Sequence, residues 1–104
     1  MEIEKLFSGA EFDWDKWNAD KIRKKHKVQF SEAEEVFLTP EFMVLPDPTH
    51  SISEKRYIAL GKTRIGRLLF VVFTQRDKKI RIISARDMNK KERRYYDEKI
   101  KRSP

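Results

Sequence analysis

Most side chains in this sequence that could take part in chemistry are cationic or aromatic. They are Lys25, His26, Arg56, Arg64, Arg67, Arg76, Arg81, Arg86, Arg93, Tyr95 and Tyr96. Metal-free cleavage of RNA needs such groups, because a base must deprotonate the attacking 2′-hydroxyl and an acid must protonate the leaving 5′-oxygen. Cations stabilise the crowded phosphorane, and the planar guanidinium of arginine can donate two hydrogen bonds to phosphate oxygens. Tyrosine and arginine planes also stack on the bases of single-stranded RNA.

Each of these residues also has a purely structural interpretation. His26 lies near the end of a predicted helix, where a histidine often caps the helix or packs against it. Tyr96 could dock a helix on the sheet. Arg81 could pair with an acidic residue such as Asp13 or Glu54. From the residues alone, RNA chemistry and structural roles both stay open.

Other kinds of site find little support in the sequence. His26 and His50 are the two histidines and there is no cysteine, so no metal-ligand spacing is present. Ser51 follows His50 without the surroundings of a nucleophile elbow. Residues 61–63 read Gly-Lys-Thr, but the upstream glycine of a phosphate-binding loop is replaced by Arg56. We therefore expect no metal and no cofactor.

The positive charge is concentrated at one end of the chain. The sequence has 104 residues, of which 38% are hydrophobic and 39% charged, with a formal net charge of +7. Residues 1–77 contain 13 Lys+Arg and 13 Asp+Glu, whereas residues 78–104 contain 11 and 4. A neutral body with a basic end favours a polyanionic partner, of which nucleic acid is the commonest, although a basic surface can also serve solubility alone.

The length predicts one domain, and the lack of a membrane-spanning or signal-peptide pattern predicts a cytoplasmic protein. A chain of 104 residues is long enough for a single core, and residues 1–10 are expected to fray. No apolar run approaches the roughly 18–20 residues that span a bilayer. The acidic N-terminus lacks the basic and apolar regions of a signal peptide.

A hairpin over residues 67–86 is the centre of the predicted fold. Residues 68–73 are continuously apolar, which is typical of a central strand buried on both faces. Residues 75–78 form the predicted connection, and residues 79–86 the return strand. Strict alternation would place Ile80, Ile82 and Ser84 on one face and Arg81, Ile83 and Ala85 on the other.

Two further strands and three helices complete the prediction. Asp15 caps a helix over residues 16–27, and Ser31 with Glu34 starts a second one that ends at residues 39–40. Strands follow at 41–45 and 54–60, separated by a proline-containing loop at 46–51, and residues 61–66 form a turn. Asn89 starts the last helix. The expected fold is α+β, with two N-terminal helices, an antiparallel sheet of about four strands and a C-terminal helix.

The order of several short motifs resembles the BrnT toxins of bacterial type II toxin–antitoxin systems. The resemblance extends from about Phe12 to Tyr96. The matching residues are 12–15 (FDWD), Lys25, His26, Val28, Phe30 and Ser31, then Ala33, Glu34, Val36 and Phe37, 45–51 (LPDPTHS), 56–61 (RYIALG), 66–69 (GRLL), Val71, Val72, Thr74 and Arg76, 80–86 (IRIISAR), and Glu92, Arg93 and Tyr96. Two departures fall beside His26: Lys27 replaces a usual glycine, and Ile22 replaces a common asparagine.

This resemblance implies a RelE-like fold and a metal-independent endoribonuclease that halts translation and growth. It also implies a BrnA-like antitoxin with a ribbon-helix-helix part. That antitoxin would block the toxin, and the two proteins are expected to form a heterotetramer that binds operator DNA.

The expected site combines this resemblance with the RNA chemistry. Arg81, Arg86, His26 and Tyr96 are the catalytic candidates, with the two arginines on the scissile phosphate and His26 or Tyr96 as the proton-transfer group. The candidates for RNA binding are Lys25, Arg56, Arg76 and Arg93. The alternative is a basic module that binds RNA or an acidic protein without cleaving it.

Overall fold

The computed structural model describes residues 11–47 and 55–102. In chain order the elements are β1 (Glu11–Asp13), α1 (Lys16–His26), α2 (Phe30–Leu38), β2 (Met43–Pro46), β3 (Tyr57–Lys62), β4 (Leu68–Arg76), β5 (Lys79–Asp87) and α3 (Lys90–Arg102). The predicted α+β class is confirmed, with two N-terminal helices and a C-terminal helix. The frayed segment predicted for residues 1–10, most of the 46–51 loop and Glu54 lie outside the described residues.

The strands form one sheet in the order β1-β5-β4-β3-β2. Strands β2 to β5 make the predicted antiparallel meander. The sheet also has a fifth strand, because β1 lies parallel to β5 with Phe12 opposite Ile80 and Asp13 opposite Arg81. The sheet is therefore mixed: the predicted antiparallel strands are present, and one parallel strand is added at the edge. The pairing of β1 cannot be predicted from its sequence pattern, because the strand has only three residues and its partner is distant in the chain.

Strand β4 is central in the sheet and is buried on both faces. Leu69, Val71 and Phe73 belong to the core that α1 and α2 cover. Leu68 and Phe70 pack against a second cluster, which includes Leu60, Met88 and Tyr96 and is covered by α3. We call the two sides the α1–α2 face and the α3 face. The continuous apolar run of the sequence follows from this double burial.

The hairpin connection is shorter than predicted. Asp77 and Lys78 have positive φ angles of 48° and 68°, and Arg76 pairs directly with Lys79. This is a two-residue turn of the kind whose backbone twist matches the twist of the flanking strands. The first strand consequently extends further than the sequence pattern indicates.

A β-bulge interrupts the pairing of β4 and β5. Val72 pairs with Ser84 and Phe73 pairs with Ile82, so Ile83 is an additional residue with no partner of its own on β4. A bulge of this kind shifts the alternation of the strand by one position. The sequence pattern does not reveal it, because Ile83 is as apolar as its neighbours.

The bulge corrects the predicted faces of β5. Ala85 joins Ile82 in the α1–α2 core, whereas the alternation of the sequence had placed them on opposite faces. Ser84 and Arg86 lie instead on the α3 face, together with Arg81. The two arginines that strict alternation would separate thus share one face.

Two of the predicted helix starts are confirmed. The Asp15 carboxylate accepts a hydrogen bond of 2.8 Å from the Trp17 backbone N–H. Asn89 and Glu92 form a reciprocal pair in which each side chain accepts from the backbone N–H of the other, at 2.8 and 2.9 Å. Such caps satisfy N–H groups that the first turn leaves without a partner.

The second helix starts differently from the prediction. It begins at Phe30, and the Glu32 carboxylate accepts from the Gln29 backbone N–H at 3.0 Å. The expected box of Ser31 and Glu34 is wrong, because Glu34 accepts instead from the Trp14 indole at 2.6 Å. Its predicted buried face of Ala33, Val36 and Phe37 is confirmed.

No helix among the described residues is long and apolar enough to cross a membrane.

Gly61 belongs to β3 and not to the turn predicted for residues 61–66. A methyl group on Gly61 would lie 2.8 Å from Val36 Cγ1 and 3.1 Å from Phe42 Cβ. Only a residue without a side chain lets α2 approach the sheet this closely.

We expect Gly61→Ala to lower the free energy of unfolding by about 1–3 kcal/mol, because the added methyl overpacks the contact with α2. Urea unfolding followed by circular dichroism measures this effect. Exposed Arg64→Ala is the control and should change stability by less than about 0.5 kcal/mol. A Gly61→Ala variant as stable as the parent would contradict the close packing.

Candidate functional site

Arg67, one residue before β4, connects the ends of four elements. Its Nε and Nη2 donate to the two carboxylate oxygens of Asp87 at 2.8 and 3.1 Å. Its Nη1 donates to the Glu32 carboxylate at 3.2 Å and to the Lys27 carbonyl at 3.0 Å, and its Nη2 to the His26 carbonyl at 3.5 Å. We call these five residues the Arg67 network. It joins the end of α1 and the start of α2 to the end of β5.

The charges of this network stabilise one another. Hydrogen bonding to Asp87 raises the pKa of the Arg67 guanidinium further above its usual value. The same bonds hold the pKa of the Asp87 carboxyl below its usual range, with smaller contributions from the charges of Arg93 and His26. Arg67 is thus oriented by protein groups on both edges of its fork, which suits a positioning residue better than a substrate ligand.

Lys25 and His26 lie at the C-terminal end of α1, next to the part of β5 that β1 does not cover. They line a surface pocket of about 240 Å³ together with Asn18, Lys21, Ile22, Ile83 and Ser84. The half-buried His26 is fixed through its carbonyl by Arg67. The helix end therefore brings a histidine and a lysine to the edge of β5.

Arg86 is held in a defined orientation on the α3 face. It donates to both oxygens of Glu92 at 2.8 and 2.9 Å, and its guanidinium lies 4.0 Å from the ring centroid of Phe70. Burial disfavours the charge of Glu92, but hydrogen bonds from Arg86 and the Asn89 backbone outweigh it and lower the pKa of that carboxyl. Arg86 Nη1 also donates to the Asp87 carbonyl at 3.1 Å.

The structure therefore places three of the predicted site residues near Asp87, and a fourth beside His26. Arg86 bonds to the Asp87 carbonyl, and the charges of His26 and Arg93 act on the Asp87 carboxylate. Lys25 lines the same pocket as His26. We call Lys25, His26, Arg86 and Arg93 the β5-end cluster.

Three other predicted residues lie at the opposite end of the sheet. Arg81 donates to Asp13 at 3.2 Å and to Asp15 at 3.3 Å. The pair with Asp13 is the one that the structural interpretation of Arg81 predicted. Arg76 pairs with Lys79 beside the hairpin turn, and Arg56 directly precedes β3. Five residues of strand, or about 16 Å, separate Arg81 from Arg86.

Tyr96 packs inside the α3 face. Its side chain is 2% exposed, and its hydroxyl donates to the Glu41 carbonyl. Burial, followed by the charges of Glu41 and Asp97, raises the pKa of Tyr96 to about 12. A hydroxyl with these contacts is a docking group, and it is far from the acidity that proton transfer near neutral pH requires.

Lys27 ends α1 in the left-handed conformation, with φ 55° and ψ 36°. Its N–H donates to the Arg23 carbonyl at 2.9 Å and its own carbonyl accepts from Arg67. Glycine is the usual residue at such a helix end, because a Cβ is unfavourable there. Lys27 therefore adopts, with a side chain, a backbone conformation in which glycine is the usual residue of a helix end.

The sequence predicted neither the role of Arg67 nor that of its partner Asp87. Leu69 pairs with Asp87, so Arg67 lies diagonally across from it on the neighbouring strand. The two-residue turn alone would place Leu69 opposite Arg86, and the bulge at Ile83 moves the pairing by one residue, so this ion pair follows only when both the turn and the bulge are known. The partners on α1 and α2 depend on tertiary packing and leave no such local signal.

Comparison with known proteins identifies the family of this chain. Residues 14–92 match the family model described as ribonuclease toxin, BrnT, of type II toxin–antitoxin systems. The chain belongs to the BrnT family. The 1.1 Å crystal structure of the Brucella abortus ribonuclease toxin BrnT has a similar fold, with a TM-score of 0.60, 19% identity and coverage of 78% of this chain and 99% of that one. The search of curated proteins found no match.

The resemblance seen in the sequence is thus confirmed. As a BrnT family member the chain is a ribonuclease toxin of a type II toxin–antitoxin system, which implies an RNA substrate and an antitoxin partner. Within residues 11–47 and 55–102, no three His, Asp or Glu side chains are grouped to bind a metal ion.

We expect Arg67→Met to reduce the free energy of unfolding by about 2–3 kcal/mol, because the network loses charge-assisted hydrogen bonds and Asp87 and Glu32 lose their shared cation. Thermal and urea unfolding measure the loss. Exposed Arg64→Ala again serves as the control. If Arg67→Met left the free energy of unfolding unchanged, the network would not stabilise the fold and would only orient the residues that it joins.

We expect Lys27→Gly to stabilise the protein by up to about 1 kcal/mol, because the left-handed backbone no longer carries a Cβ. The matched control is Lys21→Gly in the middle of α1, which should destabilise by about 1 kcal/mol. Urea midpoints of the two variants should therefore move in opposite directions. Destabilisation by both substitutions would contradict the conformation of Lys27.

Proposed function

We propose that this BrnT family toxin is a metal-independent endoribonuclease that cleaves RNA at the β5-end cluster. The observation that carries the proposal is the convergence of Lys25, His26, Arg86 and Arg93 at the end of β5. These side chains supply an imidazole and three cations: Lys25 and His26 line one surface pocket, and Arg86 and Arg93 lie near Asp87 at the end of β5. Transesterification through the 2′-hydroxyl needs such a combination and no further reactant.

Arg86 and Arg93 are the groups that we assign to the phosphate. The Glu92 carboxylate orients the guanidinium of Arg86, and the Phe70 ring supports one of its faces. Arg93 is exposed on the first turn of α3 and lies within electrostatic range of Asp87. A pre-oriented cation such as Arg86 stabilises charge that develops on the phosphorane without reorganising during the reaction.

His26 is the group that we assign to proton transfer. An imidazole ring has one nitrogen that can accept a proton and one that can carry it, so it can take a proton from the 2′-hydroxyl or deliver one to the 5′-oxygen. Tyr96 is the less suitable candidate, because its hydroxyl is bonded to the Glu41 carbonyl and its pKa is raised to about 12. Lys25 provides a neighbouring positive charge for the RNA backbone.

Arg56, Arg76 and Arg81 contact the RNA strand away from the scissile phosphate in this proposal. Arg81 is about 16 Å from Arg86 along β5, which is too far for both to bind one phosphate closely. The two lie on the same face of the sheet, so an RNA strand that crosses this face meets both ends of it. Arg81 then affects affinity more than the rate of the chemical step.

Cleavage of cellular RNA by this protein halts translation and growth, and the antitoxin is of the BrnA type, with a ribbon-helix-helix part. Binding of such an antitoxin over the cationic surface blocks the toxin, and the complex, a heterotetramer, represses its operon on operator DNA. The net charge of +7 supports contact with RNA or with an acidic segment of the antitoxin. The family assignment favours this enzyme over the alternative of a non-catalytic basic module.

The proposal is tested with purified toxin and single-stranded RNA in the presence of EDTA. We expect the parent to cleave internal phosphodiester bonds and to leave 2′,3′-cyclic phosphate ends, which are the direct product of attack by the 2′-hydroxyl. Expression of the toxin alone should stop growth, and co-expression with an adjacent ribbon-helix-helix gene should restore it. Cleavage that is lost in EDTA and restored by Mg²⁺ would refute metal independence.

His26→Ala and Arg86→Ala are each expected to lower kcat by about 100-fold or more, as for other losses of an acid–base group or a transition-state cation. Arg81→Ala should mainly raise KM, and exposed Arg64→Ala should behave as the parent. Arg86→Lys separates charge from geometry, because it keeps the cation and loses the two-pronged contact. Circular dichroism confirms that each variant is folded. Parent-like kcat for both His26→Ala and Arg86→Ala would refute the assigned site.

A further inference from the structure

The outer surface of α1 contains an exposed tryptophan among lysines. Trp17 is 70% exposed, although tryptophan is among the side chains that gain most from burial. Lys21 and Lys24 follow at spacings of four and seven, which places them on the same side of the helix. The whole helix, KWNADKIRKKH, contains five Lys or Arg residues and one Asp. The neutral sum over residues 1–77 therefore conceals a strongly basic helix.

The tryptophan and the lysines form one concave surface. Trp17, Asp20, Lys21, Lys24 and Lys25 line a pocket of about 420 Å³. Lys21 Nζ lies 5.5 Å from the centroid of the Trp17 ring. Asp20, the acidic member, is paired with Arg23 at 3.3 Å, so its charge is partly compensated.

This surface continues into the β5-end cluster. Lys21 and Lys25 line both the pocket at Trp17 and the pocket that contains His26 and Ser84. Trp17 and His26 are nine residues apart on one helix, which corresponds to about 13 Å along its axis and about half a turn around it. A strand bound at His26 can reach the indole by passing over Lys25 and Lys21, which border both pockets.

We propose that Trp17 is a stacking platform for a base of single-stranded RNA on one side of the cleavage position. Lys21, Lys24 and Lys25 bind the phosphates between that base and His26. The combination of an exposed ring with cations along a groove is the arrangement by which proteins bind single strands without reading their sequence. This inference rests on the proposed function, because it gives the substrate of the β5-end cluster a second point of contact.

The lysines favour RNA over a protein as the occupant. Lysine is depleted in the buried centres of protein–protein interfaces, where its charge would lose water, whereas it is a common ligand of nucleic-acid phosphates. Three lysines at the border of one tryptophan would be unfavourable under an apolar partner. They provide counter-charges where the phosphates beside a stacked base would lie.

The inference is tested by binding, which does not depend on cleavage. The probe is a fluorescently labelled 2′-O-methyl oligoribonucleotide, which lacks the attacking hydroxyl, and its affinity is measured by anisotropy. A strand of the same length without bases keeps the phosphates and removes the stacking partner. The variants are Trp17→Ala and Trp17→Phe, with Leu38→Ala as the matched control because Leu38 is an apolar residue with a similar exposure of 68%.

We expect Trp17→Ala to weaken binding of the oligoribonucleotide about tenfold or more. Trp17→Phe should recover most of this loss, and the abasic strand should bind both variants like the parent. Leu38→Ala should have no effect on either strand. An unchanged affinity of Trp17→Ala for the oligoribonucleotide, or an equal loss for both strands, overturns the inference. So does a Trp17→Ala variant that loses only affinity for the antitoxin, since the surface would then serve a protein.

Kinetics separate this inference from the proposed function. On a cleavable RNA, Trp17→Ala should raise KM by a similar factor and leave kcat within about twofold of the parent, because a stacked flanking base does not take part in the chemical step. A lowered kcat with unchanged KM overturns the stacking role. If the parent binds RNA through Trp17 but never cleaves it, the inference stands and the proposed function fails.

Discussion

The hydrogen-bonded guanidinium of Arg67 is the constraint on which the geometry of this toxin depends. Its donors reach Asp87, Glu32 and two carbonyls at the end of α1, so a single side chain determines how two helices meet the sheet. Arginine suits this role because it stays charged at any physiological pH and its fork is planar. His26 and Arg86 lie directly beside these contacts, and the spacing between them is set by residues that themselves need not touch RNA.

The distribution of charge explains how one small domain can bind a long polyanion. The C-terminal quarter is basic, but the helix α1 from the neutral part is basic as well, and it lies beside the end of β5. Several of the arginines are already paired with carboxylates, as Arg81 is with Asp13 and Arg86 with Glu92. Such pairs keep long side chains in place before RNA arrives, which reduces the conformational entropy lost on binding.

Local signals in the sequence predicted much of the fold. The apolar run of β4, the cap at Asp15 and the box of Asn89 and Glu92 depend on neighbouring residues, and the structure agrees with all of them. The parallel pairing of β1 and the start of α2 depend on distant partners and were missed or misplaced. The same division holds for the candidate site: its residue types were visible in the sequence, but their grouping around Asp87 follows from tertiary contacts that no spacing reveals.

The extra residue Ile83 changes which face of the sheet the later residues of β5 point to. Residues five apart on a regular strand point to opposite faces. Because the bulge adds one residue between them, Arg81 and Arg86 point to the same face. The residues that follow β5, from Met88 into α3, start from the face that the bulge sets. Loss of Ile83 would remove the bulge and leave the two arginines four positions apart on a regular strand, so they would still share a face. Closing the bulge by a one-residue shift of the pairing, with no residue lost, would instead move Arg86 and the residues after it to the opposite face. The register of β5 against β4 therefore decides which of its side chains are buried, and other apolar side chains would serve at residue 83.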